Sequence, residues 1–196
     1  MKKSTIILLS VIGLIAVMVL WGMSGYNGLV TQEENVNSQW ANVESQYQRR
    51  ADLIPNLVAT VKGYATHESE TLEGVVAARA KATQVTIDPQ NLTPEKLQEF
   101  QAAQGQVSSA LGKLLMITEN YPDLKANQNF LELQAQLEGT ENRISVERGR
   151  FNDVAKEFNT SIRRFPRSII ASIGGFDKKP YFEAEQGSEK APDVKF

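Results

Sequence analysis

The sequence predicts an all-α protein, with an N-terminal transmembrane helix followed by an antiparallel bundle of long helices. Three observations carry that prediction. An uncharged apolar run fills residues 5–23. Beyond it, apolar side chains recur at three- and four-residue steps over most of the chain, the spacing of one helix face. No alternating run of useful length marks a strand.

The apolar run, "TIILLSVIGLIAVMVLWGM", approaches the roughly 20 residues a helix needs to cross the hydrocarbon core. Lys2 and Lys3 precede it, and no Lys or Arg follows until Arg49. That asymmetry places residues 1–4 in the cytoplasm, the anchor at residues 5–24 and the remainder outside the cytoplasm. Trp21 and Tyr26 suit an interfacial aromatic belt. The competing reading is a cleaved signal peptide, with Gly22-Met23-Ser24 as the cleavage site. Signal peptides carry a shorter apolar core of about 7–15 residues. Trp21 and Met23 also make poor neighbours for cleavage, which favours a retained single-pass anchor in contact with the lipid bilayer.

Composition removes several functions. The 196 residues carry a net charge of −2, one histidine and no cysteine. Near-neutral charge without a basic stripe argues against nucleic acid. Without cysteine there is no disulfide framework, thiol nucleophile or thiolate metal site. His67 lacks the second histidine of a zinc-protease helix, since Thr71 stands four residues on. The carboxylates of Glu33, Glu34, Glu68, Glu70 and Glu73 read as solvated helix faces. No cofactor is expected.

Residues 25–175 form the expected bundle. Val36, Trp40, Val43, Tyr47, Ile54, Leu57, Val61 and Tyr64 make one seam, and helical propensity continues to about residue 83. "TIDPQNLTP" (residues 86–94) is a loop, closed by Thr93 as N-cap with Pro94 at the first helical position. The next helix carries Leu97, Phe100, Val107, Leu111 and Leu114, and stops around residues 119–127. The last long helix carries Phe130, Leu133, Leu137, Ile144, Phe151, Val154, Phe158 and Phe165 and ends at Pro166. "RSIIASIGGF" adds a short helix closed by Gly174-Gly175. Residues 176–196 have the charge and proline content of an extended or disordered tail.

"QYQRRADLIPNL" (residues 46–57) interrupts the first seam with charge and proline. Pro55 has no N–H for the Ala51 carbonyl and crowds it, which kinks or breaks a helix. The apolar phase nevertheless persists across it, which favours one kinked helix from about residue 26 to 83. Such a helix is on the order of 85 Å long, against about 40 Å and 60 Å for the other two. One helix then overhangs, to be covered by the short C-terminal helix, a sharper bend or a second copy of the chain. Arg50 and Glu147 both fall on seams, where an ion pair or polar layer sets helix register. Arg49, Arg50, Asp52, Pro55 and Glu147 are therefore candidate register or interaction residues, with ligand binding and catalysis as the lesser readings.

Two other stretches merit separate readings. "RGRFNDVAKEFNTSIRRF" (residues 148–165) mixes basic and aromatic residues, but its aromatics keep the seam spacing and are expected to face the core. Its surface arginines can touch anionic lipid where the helix nears a bilayer. The terminal "PDVKF" ends in Phe196 and a free carboxylate, the form captured by C-terminal-peptide grooves.

Residues 26–82, together with "TENRISVERGRFNDVAKEFN", "FPRSIIA" and "KPYFEA", resemble the signature of the LemA family of bacterial proteins. The resemblance covers nearly the whole chain after the anchor. It implies a membrane-anchored antiparallel bundle, usually of four helices, in the bacterial inner membrane, and no enzymatic activity. The genes of that family often lie near those of membrane proteases or envelope-stress components, and it offers no established catalytic residues. The expectation is a non-enzymatic scaffold or interaction protein of the cell envelope, with its bundle on the periplasmic side and homo-oligomeric. The alternative is an adaptor of a membrane protease, recognised partly through Phe196.

Overall fold

A computed structural model describes residues 3–183 of the chain; Phe196 lies outside the described residues. The described residues are helical, with no strand among them. Helix α1 runs from Lys3 to Lys62, and its first part stands clear of the protein with Ile6 to Leu20 exposed. This is the one described helix long and apolar enough to cross a membrane. From Leu29 onward the seam turns inward: Val36, Trp40, Val43, Tyr47, Ile54, Leu57 and Val61 are all buried.

Helix α1 continues through Pro55 and ends at Lys62. The single long helix expected to residue 83 is instead two. The chain turns at Gly63, where the Tyr64 and Ala65 N–H groups both donate to the Val61 carbonyl, and α2 begins at Ser69 and runs to Gln84. Glycine weakens the helix there, and Ala65 takes the buried place while Tyr64 stays exposed. The phase that Tyr64 kept in sequence is therefore coincidental. Helix α2 lies against α1 and pairs with α3 (Pro94–Thr118).

Between them a 3-10 turn, Pro89–Asn91, is capped by the Asp88 carboxylate, which accepts from the Gln90 N–H. Helix α3 starts as expected, the Thr93 hydroxyl accepting from the Lys96 N–H with Pro94 at the first position. One turn, α4 (Pro122–Lys125), leads into α5 (Gln128–Arg163), which Asn127 caps. The last helix, α6 (Arg167–Gly174), ends at Gly175 in the left-handed conformation (φ 73°) that glycine adopts without strain.

The part of α1 from Leu29 onward and helices α2, α3 and α5 form an up-down-up-down bundle, α1 packing mainly on α5. Its core has two parts. An aromatic half holds Trp40, Tyr47, Phe100, Phe151 and Phe158, and an aliphatic half holds Ile54, Leu57, Val61, Val75, Leu114 and Leu124. Phe165 is a correction to the expected seam: α5 stops at Arg163, and Phe165 is 82% exposed.

Candidate functional site

Arg50 sits on α1 between the two core halves and is 2% exposed. Burying a guanidinium is costly unless it is paired and hydrogen-bonded. Here Nη1 donates to Glu141 Oε1 (2.5 Å) and Ser108 Oγ (2.8 Å), and Nη2 donates to the side chain (2.7 Å) and main-chain carbonyl (3.2 Å) of Gln104. Ser108 in turn donates to Glu141 (3.0 Å), and the guanidinium carbon lies 5.1 Å from the centre of the Tyr47 ring. One arginine thus ties α1 to α3 and α5. A one-turn slip of either partner helix would leave a buried cation without its anion or its amide acceptors. The layer borders an open cleft of about 730 Å³ that runs between α3 and α5 to Arg148, Phe182 and Glu183.

Glu147 does not pair with Arg50. It accepts from Gln39 Nε2 (2.6 Å) and from Arg150 (2.7 Å), a second α1–α5 tie nearer the N-terminal apolar segment. The anion that serves Arg50 is Glu141, which is off the apolar seam and which the seam pattern therefore passed over. Arg49 is exposed beside Gln136, Gly139 and Arg143 of α5. Asp52 is exposed and accepts from Gln48 one turn earlier (2.8 Å). The five candidates therefore do not converge on one site.

Pro55 has a different consequence. The Ala51 carbonyl that it cannot serve accepts from Arg79 Nε of α2 at 2.7 Å. The gap in the α1 hydrogen-bond ladder is thus the point where α2 is fastened.

Residues 176–183 carry no helix and pack against the bundle as a strap. Two asparagines seven residues apart on α5 clamp this strap. Asn159 donates to the Lys179 carbonyl (2.8 Å) and accepts its N–H (2.9 Å). Asn152 does the same for Phe182 (2.9 and 2.8 Å). Each side-chain amide replaces a neighbouring strand, satisfying both polar groups of one strap residue. Lys179 is buried and pairs with Glu33 of α1 (2.8 Å). Phe182 stacks on Trp40 with ring centres 5.8 Å apart, and Gln101 and Arg148 donate to the Glu183 carbonyl. The strap and α6 together pack on α1 between Gly25 and Trp40. Sequence reasoning missed this site. The signal was present in two amides, Asn152 and Asn159, one heptad apart beside core aromatics.

Near the far end of the bundle, the Tyr121 hydroxyl donates to Glu68 (2.9 Å), linking the α1–α2 and α3–α4 turns. This hydrogen bond to a carboxylate raises the Tyr121 pKa above its usual 10.0.

Together these features define a class: a membrane-associated helical-bundle protein with buried polar ties between its helices. The family comparison agrees, matching the LemA family over residues 39–196, and the chain belongs to that family. It is similar to the magnetosome protein MamQ 2 of Paramagnetospirillum magneticum, 27% identical over 198 residues, covering 92% of this chain and 71% of that protein. It is similar also to the magnetosome protein MamQ of Magnetospirillum gryphiswaldense, 26% identical, covering 84% and 66%. Protein LemA of Metamycoplasma hominis is 25% identical, covering 74% of this chain and 63% of that protein.

Proposed function

We propose that this protein is a non-enzymatic scaffold of the bacterial cell envelope. In this reading it is anchored in the inner membrane by residues 5–24, with its bundle on the extracytoplasmic side, and it presents its outer surface to further copies of itself. The observation that carries the reading is the Arg50 layer. The residue best placed by sequence to do chemistry has both terminal guanidinium nitrogens engaged by groups on two neighbouring helices, and it works as a register device. The relatives named as magnetosome and LemA proteins support a membrane-associated role rather than a reaction. The self-association reading draws on a shallow apolar groove of about 370 Å³ between α1 and α2, lined in part by Val58, Leu72, Val76, Ala77 and Ala80. Val76 is 49% exposed there.

The chain has no cysteine, so Val76→Cys introduces a unique thiol. Oxidation in membranes is expected to yield a disulfide-linked dimer, whereas the same substitution at Val146, exposed elsewhere, is expected not to. Equal crosslinking from both positions would reject the groove as the contact.

A second reading is an adaptor of a membrane protease or another envelope protein. The clamped strap favours it, because it fixes Glu183 against α3 and α5 as the base from which the last residues depart. Deleting residues 193–196, Phe196 included, is then expected to abolish the association without changing the bundle's thermal unfolding.

A further inference from the structure

Helix α6 carries an apolar stripe that the bundle does not cover. Phe165, just before the helix, and Ile169 and Ile173 within it recur every four residues and are 82%, 53% and 84% exposed. The other side of α6 is seated on α1. A methyl group at Gly25 would lie 2.5 Å from Ile170 Cδ1, and one at Gly174 would lie 3.1 Å from the Tyr26 ring. Helix α6 thus meets α1 at Gly25 and Tyr26, immediately after the apolar segment and about 3 Å beyond Met23 along α1.

From this placement we propose that α6 is an interfacial helix of the same membrane that α1 spans. It lies in the membrane plane with Phe165, Ile169 and Ile173 in the acyl–headgroup boundary. Helices of this kind bind by buried apolar area together with attraction to anionic lipid. Arg163, Arg164 and Arg167 supply the second component. All three are exposed, as is Lys178, and Asp177 is the one acid between residues 163 and 178. In sequence the apolar segment has no basic residue close behind it; in the fold, the end of α5 and the start of α6 bring these arginines to its level. The occupant is the lipid surface, because α6 meets α1 at the residues that directly follow its exposed apolar segment, and exposed arginines suited to phosphate headgroups precede and open the helix. Two attachments, a span and an interfacial helix, would hold the bundle at a fixed tilt.

The inference rests on reading residues 5–24 as the span, and the test separates the two. Nitroxide labels are placed singly through Gly13→Cys, Ile173→Cys and Val146→Cys in the full-length protein, reconstituted into vesicles of phosphatidylcholine and phosphatidylglycerol. Collision rates with oxygen and with a polar nickel chelate are then compared. The label at 173 is expected to favour oxygen, as at 13, while the label at 146 favours the chelate. The depth of the 173 label is expected to decrease in phosphatidylcholine alone. Replacing Arg163, Arg164 and Arg167 with Gln is expected to remove that lipid dependence. A 173 label that matches 146 while 13 remains in lipid overturns the inference and leaves the span intact; a 13 label open to the chelate overturns the span, and the inference with it. Dipolar broadening between labels at 173 assigns the stripe to a second copy and likewise overturns the inference.

Discussion

Pro55 and Arg79 are expected to behave as one unit, and their coupling can be sized from the structure. Arg79 Nε donates to the Ala51 carbonyl at 2.7 Å because Pro55 has no N–H to offer it. Hydrogen bonds from charged donors contribute about 1.5–3 kcal/mol. Ala51 and Arg79 are both only partly buried, which favours the lower half of that range. Arg79→Ala should therefore destabilise the bundle by about 2 kcal/mol. Pro55→Ala restores an N–H in the position to serve Ala51, so the carbonyl no longer depends on α2. In that background Arg79→Ala should cost only about 0.5 kcal/mol, a coupling near 1.5 kcal/mol. Urea unfolding of the full-length protein in mild detergent, followed by circular dichroism with unchanged m values, measures all four corners of the cycle. Additivity within about 0.5 kcal/mol would show that Arg79 does not replace the donor Pro55 lacks.

Other consequences concern the remaining ties. Glu141→Ala leaves Arg50 a buried cation without an anion and should cost about 3 kcal/mol. Arg50→Met frees the half-exposed Glu141 to water and should cost about 1 kcal/mol, so the same unfolding assay should rank Glu141→Ala as the worse, with Glu147→Gln sparing the layer. Asn159→Ala orphans the N–H and carbonyl of Lys179, each worth about 1–3 kcal/mol when left unpaired, and should strip hydrogen-exchange protection from the Lys179 amide. Unchanged protection would mean that the Asn159 pair does not hold the strap. At high pH the raised pKa of Tyr121 gives stability that is complete below 10.0 and lost as pH rises through its folded-state value. Tyr121→Phe should therefore narrow the stability difference between pH 9 and pH 11 in thermal melts.

The buried seams were legible because apolar spacing and burial share one cause: a helix presents a face only every three to four residues. Thr93-Pro94 and Gly174-Gly175 were legible for equally local reasons, a cap and a left-handed stop. The break after Lys62 was not. Gly63 alone is a weak signal, and Tyr64 happened to keep the phase. The Arg50 layer was half legible. The cation stood on a seam, but its anion Glu141 approaches from the rim of α5, where carboxylates ordinarily face water. The strap was hidden because its stability lies in main-chain groups and a lysine stem, which composition scores as disorder. Its partners, Asn152 and Asn159, looked like ordinary polar residues until the fold placed them under the strap.

The most direct test of the scaffold account is the mass of the full-length protein extracted in mild detergent, measured by light scattering coupled to chromatography. The account predicts a discrete assembly of more than one copy that Val76→Asp reduces to monomer. A monodisperse wild-type monomer, with no partner recovered by crosslinking in membranes, would contradict it.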